Sequence, residues 1–217
     1  MTAAIGRSVV SERLRASRVI AVLRAKTVDD LLPVCDVLVE EQILSLEFTL
    51  TTPGLLDRLP ELVDRYRAVA DVGVGTILST EDAGEAMDSG AQYLVTPNMD
   101  LAIVEAAVAR QIPVFPGGLT PSELLSGWRA GATAVKIFPA QTVGAGYLKH
   151  LHGPFPDLLA VPSGGVDLKA TAEWLRAGAV AVSLGGPLLG DALAGGDLGE
   201  LRSRCRAVRT VVEESIR

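Results

Sequence analysis

Aromatic side chains make up only 4% of the 217 residues, and there are two cysteines, two histidines and no run of basic residues. Cys35 and Cys205 stand far apart in stretches with helical spacing, which excludes a disulfide framework. His150 and His152 are one residue apart rather than at i, i+4, which excludes a zinc signature, and no metal or other cofactor is expected. Acidic side chains outnumber basic ones 26 to 20, giving a formal charge of −6, so nucleic acid is excluded as a partner. Long apolar runs are missing as well. Met1–Arg18 carries four arginines and no continuous apolar stretch, and the most lipid-like segment, Ala177–Gly190, is interrupted by four glycines and a proline. Neither a signal peptide nor a membrane span is expected, and a reducing, cytoplasmic setting is the default.

What is present is a core-forming chain, 48% hydrophobic and 21% charged, of a length that α/β barrels occupy as one unit, so a single domain over residues 1–217 is expected. Short β-rich apolar runs alternate with amphipathic segments, the pattern of repeated βα units. The expected strands are Val19–Leu23, Ile43–Phe48, Ala70–Val74, Tyr93–Val95, Val114–Phe115, Ala134–Phe138, Leu159–Val161 and Val180–Leu184. Eight strands at this spacing predict a closed (β/α)8 barrel, whereas an open doubly wound sheet would want a GxGxxG turn after an early strand, and none is there. Helix starts are marked by Thr27 with Asp30, Ser79 with Asp82, Asp167, and the capping box Thr120-Pro121-Ser122-Glu123. Helix ends are marked by Ser89-Gly90-Ala91, Ala130-Gly131-Ala132 and Ala177-Gly178-Ala179, three copies of one turn with glycine at a left-handed C-cap. A leading helix over Met1–Ser17 and a closing one over Leu198–Ile216 complete the expected layout.

In such a barrel the chemistry sits at the C-terminal ends of the strands. The second strand ends Leu46-Glu47-Phe48-Thr49-Leu50 and the sixth runs Ala134-Val135-Lys136-Ile137-Phe138-Pro139, each placing one charge between apolar neighbours. Of the four lysines, Lys136 alone has a β-branched residue on both sides. An amine held inside a barrel is desolvated, its pKa falls, and the free base can attack a carbonyl. A Lys and a Glu on separate strands also suit a buried ion pair that fixes register and does no chemistry, and on pattern alone both readings stand. On spacing alone Arg24, after the first strand, reads as a surface arginine at a helix start. Glycine clusters at Gly73-Val74-Gly75-Thr76, Ser163-Gly164-Gly165 and Gly185-Gly186 each read as a turn following a strand. The last two follow strands seven and eight, where barrels build phosphate sites from backbone N–H groups. His150 and His152 fit a loop edge, and Trp128 and Trp174 fit helix packing.

Six segments in order then resemble one family. Val22-Leu23-Arg24, Leu46-Glu47-Phe48-Thr49, Val74-Gly75-Thr76, Val95-Thr96-Pro97-Asn98, Lys136-Ile137-Phe138-Pro139-Ala140 and Pro162-Ser163-Gly164-Gly165-Val166 are similar to motifs of the 2-keto-3-deoxy-6-phosphogluconate (KDPG) and 4-hydroxy-2-oxoglutarate (KHG) aldolase family. The resemblance runs from about Arg18 to the C-terminus. It implies a metal-independent class I aldolase on a (β/α)8 barrel, a homotrimer of the Entner–Doudoroff type of carbohydrate metabolism. Such an enzyme cleaves a 2-keto-3-deoxy sugar acid phosphate into pyruvate and glyceraldehyde 3-phosphate, or KHG into pyruvate and glyoxylate. It further implies Lys136 as the Schiff-base lysine, Glu47 as general acid/base and Arg24 as the carboxylate ligand. Thr76, Pro97 and Phe138 would line the pyruvyl pocket, with Ser163, Gly164, Gly165, Gly185 and Gly186 at the phosphate end. Thr51 stands where many members have an arginine, which throws carboxylate binding onto Arg24. Pro187 stands where many have a serine, which removes a hydroxyl and an N–H from the phosphate end. Val-Thr-Pro-Asn and Lys-Ile-Phe-Pro are also similar to the galactonate-type branch. The competing readings are a phosphosugar isomerase or synthase barrel without imine chemistry, and a sugar-acid binding protein without turnover.

Overall fold

The computed structural model describes residues 6–215. In chain order the elements are α1 (Glu12–Ser17), β1 (Val19–Leu23), α2 (Leu31–Glu40), β2 (Ser45–Thr49), α3 (Leu55–Tyr66), β3 (Asp71–Gly75), α4 (Thr80–Asp88), β4 (Tyr93–Val95), α5 (Leu101–Ala109) and β5 (Val114–Phe115). There follow β6 (Gly117–Gly118), α6 (Pro121–Arg129), β7 (Val135–Ile137), α7 (Gly146–His152), β8 (Ala160–Pro162), α8 (Leu168–Arg176), β9 (Val182–Leu184), α9 (Gly186–Leu189) and α10 (Leu198–Ser215). This is an α/β fold in which every strand pairing is parallel, the outcome expected when a helix carries the chain back between successive strands.

Six strands lie in the order β5-β4-β3-β2-β1-β9 and three in the order β6-β7-β8. Pro116 alone separates β5 from β6, and a parallel bridge between Ser163 and Ser183 joins the end of β8 to β9. Each of the eight expected strands has a counterpart, shifted by two residues or fewer at any end, and β6 is additional. Proline has no N–H to give a ladder, so Pro116 breaks the pairing between β5 and β6.

Most of the expected punctuation is in place, but Asp30, which precedes α2, makes no capping hydrogen bond to it and pairs with Thr27 instead. Thr120 accepts from the Glu123 N–H while the Glu123 carboxylate accepts from the Thr120 N–H, a complete capping box with Pro121 opening the helix. Ser79 caps α4 through the Asp82 N–H and Asp167 caps α8 through the Ala170 N–H. Gly90, Gly131 and Gly178 all take φ near +100°, at +95°, +104° and +102°, which glycine alone adopts cheaply.

Two apolar layers enclose the strands. The outer one packs helices on the sheet through residues such as Leu38, Phe48, Leu59, Ile103, Trp174 and Val208. The inner one, on the other face of the strands, contains Ile20, Tyr93, Val95, Phe115, Ala134, Val161 and Ala181, closed off by Val10 and Leu14. Beneath it Asp71 accepts from Ser11, Ser45 and Arg13, tying the N-terminal segment to β2 and β3.

The leading helix is shorter than expected. Residues 1–5 lie outside the described residues, residues 6–11 are not helical, and α1 begins only after the Ser11 cap. Arg7 donates to the carbonyls of Trp128 and Ala132 and sits 3.4 Å above the Trp128 ring, contacts that need an extended chain. The closing helix is α10, and Ile216 lies outside the described residues. No helix among the described residues is long and apolar enough to cross a membrane.

Candidate active site

A cleft of about 260 Å³ opens at the C-terminal ends of the strands. Its lining includes all eleven residues singled out in the sequence: Arg24, Glu47, Thr76, Pro97, Lys136, Phe138, Ser163, Gly164, Gly165, Gly185 and Gly186.

Strand alternation puts Glu47 and Lys136 on the inner face, one from β2 and one from β7. Both are buried, at 1% and 7% exposure, and Lys136 Nζ lies 3.7 Å from Glu47 Oε1. The Phe138 ring centroid is 5.4 Å from the same nitrogen, so an aromatic face lies against the amine. Glu47 Oε2 is buried with no hydrogen-bond partner among the described residues. An unpaired buried oxygen costs free energy, which makes it a natural acceptor for a ligand proton.

The Gly73-Val74-Gly75 cluster is not a turn. Both glycines lie within β3 with ordinary extended backbone, and Glu47, Gly73 and Tyr93 are lateral neighbours on three adjacent strands. A Cβ on Gly73 would lie 2.2 Å from the Tyr93 ring, and one on Gly75 would lie 2.1 Å from Glu47 Oε1. These glycines are absences that the inward side chains of their neighbours fill. The Tyr93 hydroxyl is buried without a partner among the described residues, and burial, with the charges of Glu47 and Asp71 adding to it, pushes its phenol well up.

Thr76 follows at φ +61°, a left-handed conformation uncommon for a residue other than glycine and frequent at ligand sites. Across the cleft Gly164 and Gly165 take φ +87° and +72°. A Cβ on Gly165 would lie 2.1 Å from Gln141 Oε1, so this turn is tight against its own chain. At Gly186, by contrast, a Cβ would meet nothing within 4 Å. The open space there belongs to the cleft. Arg24 stands exposed at the mouth with no ion pair among the described residues, between the cleft and an adjoining hollow of about 550 Å³ that also includes Lys26 and Asp191. Pro187 is part of the cleft wall, and Thr51 is turned to the Thr49 hydroxyl, 2.9 Å away.

Four lining residues escaped the sequence reading: Val22, Val166, Ser183 and Pro187 as a wall residue. Ser183 carried the same signal as Glu47 and Lys136, one polar side chain between Val182 and Leu184. Other expectations fall outside the cleft. His150 and His152 lie on the last turn of α7 rather than a loop, and His152 Nε2 is 3.0 Å from the Leu158 carbonyl. Trp174 is buried in the outer core, and Trp128 lies beneath Arg7.

Residues 10–202 match the family described as KDPG and KHG aldolase. The chain is 34% identical over 170 residues to the 2-dehydro-3-deoxy-6-phosphogalactonate aldolase of Escherichia coli K12, covering 78% of this chain and 83% of that one. It is 33% identical over 162 residues to the 2-dehydro-3-deoxy-phosphogluconate aldolase of Pseudomonas aeruginosa, covering 74% of this chain and 73% of that one. A crystal structure of Legionella pneumophila KDPG aldolase, with pyruvate captured as a covalent carbinolamine intermediate, superimposes with a TM-score of 0.83 at 29% identity, over 90% of this chain and 96% of that one. These relatives are aldolases, and the chain is a carbon–carbon lyase. The chain belongs to the KDPG and KHG aldolase family.

Proposed function

We propose that this protein is a class I aldolase that cleaves KDPG to pyruvate and glyceraldehyde 3-phosphate, with KHG as a further substrate. The observation that carries the reading is the buried approach of Lys136 Nζ to Glu47 Oε1, 3.7 Å apart in the cleft. An ion pair serving only to fix register would leave no ligand-sized space around it and no unpartnered oxygen on the acid, and here both are present.

The lone pair of Lys136 Nζ adds to the C2 ketone, and loss of water from the carbinolamine leaves a protonated imine. The C3–C4 bond then breaks with its electron pair passing to C3 and into the imine, which becomes an enamine. Glu47 takes the C4 hydroxyl proton as that carbon becomes the aldehyde. The enamine is protonated at C3, and water releases pyruvate and the free amine. The imine is the electron sink. Arg24 is suited to the C1 carboxylate by its planar fork of donors. The backbone around Gly164, Gly165, Gly185 and Gly186 is suited to the phosphate.

A second substrate reading, the galactonate-type C4 epimer, is favoured by the 34% identity to the Escherichia coli phosphogalactonate aldolase. Comparing kcat/KM on the two epimers decides between them. For the architecture we propose that the two sheets, meeting at Pro116 and at the Ser163–Ser183 bridge, form one (β/α)8 barrel, and that the protein is a cytoplasmic homotrimer serving an Entner–Doudoroff type of sugar-acid breakdown. Size-exclusion chromatography with light scattering tests the trimer. Borohydride trapping of pyruvate on Lys136 tests the chemistry.

A further inference from the structure

The Ser183 hydroxyl is buried, with the residue 3% exposed, it lines the cleft, and it has no hydrogen-bond partner among the described residues. A serine in an apolar wall ordinarily satisfies its hydroxyl on a neighbouring carbonyl, and one left unpaired costs free energy unless something else completes it. Ser183 pairs through its backbone with Ser163, and Gly185 lies two residues further along on the same face, about 6.6 Å away. On the reading above, C2 of the substrate is bonded to Lys136 and the phosphate lies against Gly185 and Gly186. Ser183, Lys136, Gly185 and Gly186 line the same cleft, so C3 to C5, running from the amine to the phosphate end, pass along the wall to which Ser183 belongs. Glu47 takes the C4 hydroxyl, and the C5 hydroxyl is the one polar group of that stretch without a partner.

We propose that Ser183 is a specificity-determining residue whose hydroxyl hydrogen-bonds the C5 hydroxyl of the sugar acid, the C2 hydroxyl of the aldehyde product. The inference rests on the proposed aldolase reaction. Its test runs the reaction toward condensation, with pyruvate and either glyceraldehyde 3-phosphate or the analogue lacking that hydroxyl, 3-phosphooxypropanal. Ser183→Ala is expected to lower kcat/KM about tenfold with glyceraldehyde 3-phosphate and to leave the deoxy aldehyde unchanged, the size expected for one neutral hydrogen bond. Ser183→Cys, which is near serine in size but donates weakly, is expected to behave as Ser183→Ala. Borohydride trapping of pyruvate, which has no atoms beyond C3, is expected to be equal in all three proteins. An equal loss with both aldehydes, no loss with either, full activity in Ser183→Cys, or a parallel fall in pyruvate trapping overturns the proposal. Failure of the unaltered protein to trap pyruvate overturns instead the aldolase reading beneath it.

Discussion

Gly75 leaves vacant the volume that the Glu47 carboxylate occupies: a Cβ placed on Gly75 would lie 2.1 Å from Glu47 Oε1 and 2.7 Å from its carboxyl carbon. The residue on one strand thus determines where the acid on the next can point. Gly75→Ala is expected to push the carboxylate off Lys136 and lower kcat about a hundredfold, since small displacements of a reacting group cost that much. The substitution suits the extended backbone there, so circular dichroism is expected to stay native. Unchanged kcat contradicts the placement.

Glu47→Gln keeps the volume and removes the proton acceptor. Cleavage is expected to slow by about 10² to 10⁴ in kcat. Steady-state kinetics read this directly, and a variant within a factor of two or three of the unaltered enzyme removes Glu47 from the reaction.

Glu41 links α2 to α10. Its carboxylate accepts from Arg206 at 2.7 and 3.0 Å and faces Arg202 at 3.5 Å, and the hydrogen bond from Arg206 is the main cause that holds its pKa below the ordinary carboxylate value. A folded pKa lower than the unfolded one contributes stability above the unfolded value, near 4.3, and that contribution is lost as pH falls through the lowered folded value. Glu41→Gln is therefore expected to lower Tm at pH 7, by no more than about 4 °C because both arginines are solvated. The difference is expected to close under acid conditions. A deficit that stays constant down to pH 3 contradicts the ion-pair account.

The thiols are both buried. Burial pushes the Cys205 thiol up to about 11, with Glu41 adding to it, and pushes Cys35 higher still. Thiolate is the reactive form, so a disulfide reagent at pH 8 is expected to modify neither residue in the native protein and both after unfolding in guanidinium. Rapid labelling of the native chain contradicts the burial of α2 against α10.

Most of the site was legible because the chemistry it needs conflicts with its surroundings. Glu47 and Lys136 stand out as single charges in apolar strands, and Thr120 and the three Gly-Ala turns stand out because caps are local and keep their own hydrogen bonds. What was not legible depended on neighbours distant in sequence. Gly73 and Gly75 read as a turn because nothing local reveals that Tyr93 and Glu47 fill the space above them. Residues 6–11, expected to be helical, make tertiary contacts instead, since Arg7 reaches carbonyls more than a hundred residues away. The β6 strand, Gly117–Gly118, has no side chains to signal it, and its existence follows from pairing with Lys136 and Ile137. Ser183 was missed although its pattern matched, because a hydroxyl between apolar residues is a weaker conflict than a charge.

The central claim is covalent chemistry at Lys136, and borohydride reduction in the presence of pyruvate, followed by peptide mass mapping, tests it most directly. A reduced pyruvyl adduct on the peptide containing Lys136, absent from Lys136→Ala, is the result expected. A folded, pyruvate-saturated protein that shows no adduct, or shows it on Lys26, Lys149 or Lys169 instead, contradicts the account.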